Sequence, residues 1–401
     1  MTNISSFGSG DLIPQEEKLE LKKQAKCLFI GVPKEITFQE SRIAIVPDAV
    51  QLLVSHGHEV IIESKSGEGA NFPDSEFSEA GAKIVYDTQE IYQADVILKV
   101  EPPTIEEIEM MKGRQTLISA LQITTRSKKF IEKLAQKKIN CLAYEFIQDD
   151  SGMMPLIRSM SEIAGNTSIL IASECLSNVN LGKGLMLGGI AGVTPTEVVI
   201  IGAGTVGEFA ARSAMGLGAS VKVFDNSLSK LRRLQNDLNT PVFTSIIQPK
   251  VLQKTLRRAD VVIGALRSND KRTPCVVSEQ MVSQMKDGSV IIDVSIDQGG
   301  CFETSQLTNH AKPTFNKYGV VHYCVPNIPS RVARTASYSL SNLLTPIILK
   351  AGDFGGLDNV IISDVGLRQG VYICHGMLTN KMVAEWFNLD YKEIDLIIAS
   401  I

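Results

Sequence analysis

The chain has 401 residues, 44% hydrophobic and 21% charged, ordinary values for a globular protein with substantial cores and enough length for two or three domains. A net charge of −4, with no basic run beyond short pairs, excludes a nucleic-acid face, and no apolar run reaches membrane-spanning length. Seven scattered cysteines without C-x-x-C pairs, and an N-terminus without a secretory signature, read as reduced thiols in a cytoplasmic protein.

Residues 1–26 form an N-terminal extension: a Ser-, Asn- and Gly-rich start, then a charged helical stretch from Glu16 to Lys26. The first strand is expected at Cys27–Pro33, with a polar loop from Lys34 to Arg42 and a helix opened by Val46-Pro47-Asp48 and stopped near Gly57. Further strands are expected at His58–Glu63, Ala82–Tyr86, Val96–Val100, Thr116–Ala120 and Cys141–Tyr144, with an amphipathic helix over Ser127–Lys138. Met154 to Cys175 reads as one long helix that carries the chain into a second set of strands. Those fall at 198–201, 220–224, Val242–Ile246, Val261–Ala265, Val290–Val294 and Val320–Val325. A helix over 332–350 follows, and the C-terminal part reads as helical, with Trp386 and Phe387 in its core. Alternation of helix and apolar strand predicts an α/β protein of two Rossmann-like domains with parallel sheets and a cleft between them.

One stretch carries a specific signal. The apolar run Val198-Val199-Ile200-Ile201 stops at Gly202-Ala203-Gly204-Thr205-Val206-Gly207, a helix-like stretch follows, and a second apolar strand ends at Asp225. A G-x-G-x-x-G between strand and helix, with an acidic residue about 20 positions further on, is a dinucleotide-binding fingerprint. Gly202 makes the turn, Gly204 lets a pyrophosphate approach, and Gly207 lets helix and strand pack, with the helix N-terminus facing the anion. The Asp225 carboxylate accepts from the ribose hydroxyls of NAD and repels the 2′-phosphate of NADP.

Ligands of open α/β sheets bind outside the strand C-termini. On that side lie Arg42, Lys99, Gln122 and Asp297. An arginine fork suits a substrate carboxylate, although a loop arginine is more often a surface charge. Lys99 ends an apolar strand, where desolvation lowers a lysine pKa. Asp297 precedes a Gln-Gly-Gly turn. The five histidines lack metal-ligand spacing, and packing is the expected role of Cys301 and Cys324; no metal is expected.

These residues, with Gly31-Val32-Pro33-Lys34-Glu35, Met160-Ser161-Glu162-Ile163-Ala164-Gly165, Asp293-Val294-Ser295-Ile296-Asp297-Gln298-Gly299-Gly300-Cys301 and His322-Tyr323-Cys324-Val325-Pro326-Asn327-Ile328-Pro329, resemble the alanine dehydrogenases. More distantly they resemble domain I of proton-translocating transhydrogenase. The resemblance runs from about Ile30 to Lys381. It implies NAD-dependent oxidative deamination of L-alanine to pyruvate and ammonium, and the reverse, in a homo-oligomer, commonly a hexamer. It also implies a substrate domain from 27–155 and 332–401 around an NAD-binding domain over 156–331. By resemblance Arg42 binds the substrate carboxylate and Asp297 is the catalytic-site aspartate; Lys99 and Asn327 are further candidates for substrate binding, and Gln122 and Lys99 join Asp297 as the candidate catalytic set. Ser161, Asp225, Lys230, Leu266, Val294, Asp297, Val325 and Ile328 join the fingerprint residues in contacting the cofactor.

Three places depart from the family pattern. The family ends the Lys99 strand with Lys-Val-Lys-Glu-Pro, and its second lysine holds the substrate; here Glu101 stands there. The family's catalytic histidine is replaced by Gln122, which hydrogen-bonds a carbonyl but carries no proton near neutral pH. The loop Arg267–Arg272 replaces a Pro-Gly-Ala run. Lys99 and Glu101, two apart on a strand, face one side, so the lysine stem is a candidate substitute for the missing ammonium. Asp297 is expected to orient the attacking water or ammonia and to take the histidine's proton role. Two other readings stay open: an NAD(H)-binding paralogue acting as sensor or regulatory subunit, and a transhydrogenase-like hydride-exchange module.

Overall fold

The computed structural model describes residues 25–180, 182–267 and 272–399. Most of the N-terminal extension, and residues 268–271 of the departing loop, lie outside them.

Two sheets organise the chain. The first contains β1 (Phe29–Val32), β2 (Glu59–Glu63), β3 (Lys83–Val85), β4 (Val96–Leu98), β5 (Thr116–Ser119) and β6 (Asn140–Ala143). The second contains β7 (Glu197–Ile201), β8 (Ser220–Phe224), β9 (Phe243–Ser245), β10 (Val261–Gly264), β11 (Val290–Asp293), β12 (Thr314–Lys317) and β13 (Val320–Tyr323). β14 (Val371–Cys374) and β15 (Met377–Leu378) return to the first sheet. The orders are β15-β14-β6-β5-β4-β1-β2-β3 and β12-β13-β11-β10-β7-β8-β9. Each therefore has a six-stranded parallel body in the doubly wound order, with antiparallel pairing added beyond its sixth strand.

The apolar runs fold this way because helices cover both faces of each sheet. Along β7, Val198 and Ile200 enter one buried cluster and Val199 and Ile201 enter another. That is the alternation a pleated strand imposes. The long helix Pro155–Leu176 joins the sheets and lies against Thr205–Gly216, the helix after the fingerprint. Gly165 permits this approach: a Cβ there would sit 2.5 Å from the Val206 carbonyl oxygen. The chain returns along helix Ala333–Asp353, whose Leu340, Leu344 and Ile348 enter the core of the first sheet. No helix among the described residues is long and apolar enough to cross a membrane.

The structure corrects two expectations about the C-terminal part. The C-terminal segment holds a β-hairpin as well as helices, because Val371-Tyr372-Ile373-Cys374 is a β-prone run that pairs with β6. Its Trp386 and Phe387 are half-buried, while Val383 and Ala384 occupy the core. A second hairpin, β12–β13, also went unread. Both turn on two residues with positive φ, Tyr318-Gly319 and His375-Gly376, the geometry that matches strand twist.

Lys99 is buried, 1% exposed, just past β4. Its Nζ lies 2.9 Å from Glu107 Oε1 and 3.4 Å from Glu35 Oε2. The Tyr92 hydroxyl donates to the same Glu107 oxygen at 2.6 Å, and Glu107 also closes the capping box of helix Ile105–Met110 with Thr104. Burial pulls the Lys99 pKa down, but Glu35 and Glu107 outweigh it and the net shift is upward. This corrects the expectation of a desolvated, easily deprotonated lysine. Removing one member of such a set leaves uncompensated buried charge. Lys99→Met is expected to cost about 3–5 kcal/mol, seen as a lower thermal midpoint. Lys128→Met, which breaks only an exposed pair with Glu132, is expected to cost under about 0.5 kcal/mol. Equal midpoints for the two variants would refute this account of Lys99.

Candidate active site where the two sheets meet

Arg42 stands on the loop between β1 and helix Pro47–Ser55 and is 8% exposed. Its Nε and Nη2 fork onto Glu40, at 2.8 Å to Oε1 and 2.5 Å to Oε2. Burial would raise the Glu40 carboxyl, but Arg42 beside it holds it below the usual range. Burial likewise works against the Arg42 charge, and Glu40 more than restores it. The Arg42 edge away from Glu40 is differently placed. Nη1 points at Met160 Sδ, 3.7 Å away on the long connecting helix, a weak acceptor. Nη2 lies 3.4 Å from Glu101 Oε1.

Glu101 and Gln122 complete the group. Gln122 has a left-handed backbone (φ 47°, ψ 55°), and its amide and that of Leu121 donate to Glu145 Oε1 at 3.1 and 2.7 Å. That anchorage sets its side chain to donate from Nε2 to Glu101 Oε2 at 2.5 Å. From the other sheet, Asn327 follows β13, also left-handed (φ 57°), and donates from Nδ2 to Glu40 Oε2 at 2.7 Å. Ser330 donates to the Gln39 carbonyl and accepts from the Ser41 amide, both at 2.9 Å. One polar chain therefore runs Asn327–Glu40–Arg42–Glu101–Gln122 across the junction of the sheets.

Lys99 is outside this chain, its ammonium held by Glu107 and Glu35. It bears on the site indirectly: Glu35 accepts from the amides of Val100, at 2.6 Å, and Glu101, at 3.4 Å. The sequence reading had missed Glu40 and Glu145, which are neither paired nor regularly spaced in the sequence, and had quoted Glu35 only within a motif, without a role. It had noted Glu101 only as a departure. Glu40, two residues before Arg42 on one short loop, was the one available signal.

The fingerprint has the geometry of its motif. Gly202 has φ 119°, and a Cβ there would fall 2.3 Å from the Ala265 carbonyl oxygen. A Cβ on Gly207 would fall 1.9 Å from that of Gly202. A Cβ on Gly204 would meet nothing within 4 Å, which leaves room for a ligand against the backbone. Helix Thr205–Gly216 starts there, its first amides turned outward, with Thr205 and Val206 in its first turn. The Asp225 carboxylate at the end of β8 accepts from the amides of Ala203, at 2.8 Å, and Ser227, at 2.7 Å. Lys230 is exposed on the first turn of the next helix.

The Asp297 loop is shaped by a buried acid. Asp293, at the end of β11, accepts from the amides of Ser295 and Cys301, each at 3.1 Å, and from Ser305 Oγ at 2.6 Å. Burial lifts its pKa to about 6. Asp297 sits in the turn Ile296–Gln298 presented by this staple. Its side chain is open to solvent, yet the surrounding protein raises its carboxyl pKa while Arg267 pulls it back. Leu266 and Val294 flank the same strand ends, half-buried, and Val325 and Ile328 are buried beyond β13. Ser161 is half-buried beside Met160 on the connecting helix. A separate recess of about 550 Å³, lined by Gln39, Ser41, Asn71, His310 and Arg334 among others, adjoins the Glu40 loop without including Arg42, Glu101, Gln122 or Asp297.

Comparison with known proteins accounts for nearly the whole chain. Residues 31–164 match the family model "Alanine dehydrogenase/PNT, N-terminal domain", and 168–381 match "Alanine dehydrogenase/PNT, C-terminal domain". A curated alanine dehydrogenase of Halomonas elongata is 39% identical over 365 residues, 91% of this chain and 98% of that protein. One of Mycolicibacterium smegmatis is 38% identical over 367 residues, again 91% and 98%. A solved L-alanine dehydrogenase superposes with a TM-score of 0.83 at 36% identity, covering 90% of this chain and 99% of the other. A transhydrogenase from Sinorhizobium meliloti shares the fold, with a TM-score of 0.75 at 21% identity, covering 88% and 99%. The chain belongs to the alanine dehydrogenase/PNT family.

Proposed function

We propose that this protein is an NAD-dependent dehydrogenase that converts L-alanine, NAD⁺ and water reversibly into pyruvate, ammonium, NADH and a proton. The observation that carries the reading is the buried Arg42. Half of its fork is fixed by Glu40, and the other edge faces the junction of the substrate-side sheet with the fingerprint-bearing sheet. That edge suits a small carboxylate. The family membership, and relatives named alanine dehydrogenase over nine-tenths of the chain, support the substrate.

In this reading Gly202, Gly204, Thr205, Val206 and Gly207 hold the pyrophosphate of NAD. Asp225 and Lys230 flank the adenosine ribose, and Ser161, Leu266, Val294, Val325 and Ile328 line the cofactor's path. Bound NAD⁺ supplies the hydride acceptor. Arg42 and Asn327 orient the substrate carboxylate, Gln122 donates to the oxygen or nitrogen on the reacting carbon, and Asp297 orients the water or ammonia. Lys99 acts as a positioning residue through Glu35. The same reading assigns 27–155 with 332–401 to substrate and 156–331 to NAD. It describes a cytoplasmic homo-oligomer, a hexamer, in amino acid catabolism.

The departures at Glu101 and Gln122 favour one alternative, an NAD(H)-binding protein with little chemistry, and one assay separates the two. Purified protein with L-alanine and NAD⁺ at alkaline pH is expected to form NADH at ~1–100 s⁻¹. Turnover below about 0.1 s⁻¹ together with tight NADH binding would favour the alternative. Arg42→Lys keeps the charge facing Glu40 but loses the fork. We expect kcat/KM for L-alanine to drop about 10–150-fold, mostly through KM, with NADH affinity unchanged. NADH should be preferred over NADPH by about 100-fold or more, because Asp225 faces the ribose, and Asp225→Asn should narrow that preference. An enzyme that favours NADPH would contradict the role given to Asp225.

A further inference from the structure

Glu101 sits where charge and geometry are unusual. It is 6% exposed, with one oxygen 3.4 Å from Arg42 Nη2 and the other accepting from Gln122 at 2.5 Å. Its backbone is pinned by Glu35. The neighbouring charges all bear on it. Arg42 and Glu40 come from the loop after β1, and Glu35 from the same loop. Arg126 lies beyond the Gln122 turn. Tyr144, after β6, has its hydroxyl bonded to the Val100 carbonyl. Lys99, two residues back, is committed to Glu35 and Glu107. Arg42 is already matched by its two-point pairing with Glu40, so Glu101 is a second carboxylate on one guanidinium. Burial therefore lifts it to about 7, against the pull of Arg42, with Glu40 and Glu35 adding to the rise.

Building on the dehydrogenase reading, we propose that Glu101 is the proton-carrying catalytic residue of this enzyme, and that binding of the pyruvate carboxylate at the adjacent edge of Arg42 loads it with its proton. Pyruvate would be a third anion beside one cation, whereas L-alanine brings its own ammonium, and Glu101 is the member free to neutralise: Glu40 is held ionised by the Arg42 fork. Protonated Glu101 then points an O–H into the space between Arg42 and Gln122. In deamination the substrate ammonium first gives a proton to solvent, and hydride transfer to the cofactor then leaves an iminium. The ionised Glu101 takes a proton from water as the water oxygen bonds to the substrate carbon. The hydroxyl proton of the resulting carbinolamine passes to its nitrogen as the C–N bond breaks and the carbonyl forms, so ammonia leaves with Glu101 protonated, and Glu101 gives its proton to solvent as pyruvate departs. Amination runs the same transfers in reverse. The proton function thus sits with the glutamate at the family's lysine position, and Gln122 orients it.

The signs follow. Amination starts from protonated Glu101, so its kcat/KM for pyruvate should be full at low pH and lost as pH rises through the Glu101 pKa. Deamination starts from the carboxylate and should be lost as pH falls through that pKa. The closing experiment compares full-length wild type with Glu101→Gln and Glu101→Asp, using pyruvate, ammonium and NADH from pH 5.5 to 9.5. Glutamine keeps an acceptor for Gln122 and Arg42 but carries no proton. A purely structural Glu101 would therefore leave the profile unmoved, while a proton carrier loses about 10²–10⁴-fold and its limb of the profile. Aspartate should retain the limb with part of the rate. NADH binding serves as the folding control.

A measurement on wild type alone covers a variant that fails to fold. Calorimetry of pyruvate binding to the enzyme–NAD⁺ complex at pH 8, in buffers of different ionisation enthalpy, should show uptake approaching one proton per site. Glu101→Gln activity within about threefold of wild type with an unchanged pH profile, or pyruvate binding without proton uptake, overturns the proposal and leaves the dehydrogenase reading standing. A wild type inert toward pyruvate and ammonium removes both.

Discussion

The Glu40–Arg42 ion pair is the constraint on which the site depends. It is buried, two-pronged and made between residues two apart on one loop, so it fixes that loop as a rigid shelf. Asn327 and Ser330 reach the shelf from beyond β13, and Met160 from the connecting helix. Both sheets are therefore referenced to one guanidinium. A buried pair contributes modest net stability because desolvation offsets most of its attraction. Its value here is geometric: it leaves one edge of Arg42 in a defined direction and spends the other.

The same pair sets the electrostatics around it. With Glu40 ionised, the Arg42 charge is accounted for, and every further acid nearby is surplus. Glu101 responds by rising toward neutral pH, and Glu35 is pushed up by burial although Lys99 pulls it back. Acids in one small volume are thus shifted in opposite directions, Glu40 down by its two-point pairing with Arg42, and Glu101 and Glu35 up by burial that one cation contact each does not offset. Position, rather than residue type, decides which of them exchanges protons.

Much of the fold was legible in the sequence because buried parallel strands read as short apolar runs and helices cover both faces. β8 matches its expected span, and the long helix Pro155–Leu176 differs by one residue at each end. The two hairpins were missed because Tyr318-Gly319 and His375-Gly376 are not the Asn-Gly pairs that advertise such turns. The fingerprint was readable because backbone sterics dictate its glycines. Lys99 was misjudged for the opposite reason: its environment depends on Glu35 and Glu107, brought to it by the loop after β1 and by a later helix. Pairings between loops have no period, so Glu145 did not announce itself, although it holds the turn that aims Gln122.

The antiparallel strands at the edge of the first sheet have a consequence for the ribosome. β6 emerges early, but its partner β14 is encoded near the other end of the chain, with the whole second sheet in between. At usual elongation rates the delay is roughly 10–50 s. During that time β6 is an unpaired sheet edge, the kind of surface that recruits strands from neighbouring chains. The second sheet has no such delay, since β12 immediately precedes its partner β13. Vectorial synthesis therefore completes the nucleotide-type half first and closes the substrate half last, and nascent chains on a crowded polysome meet each other with the β6 edge still open.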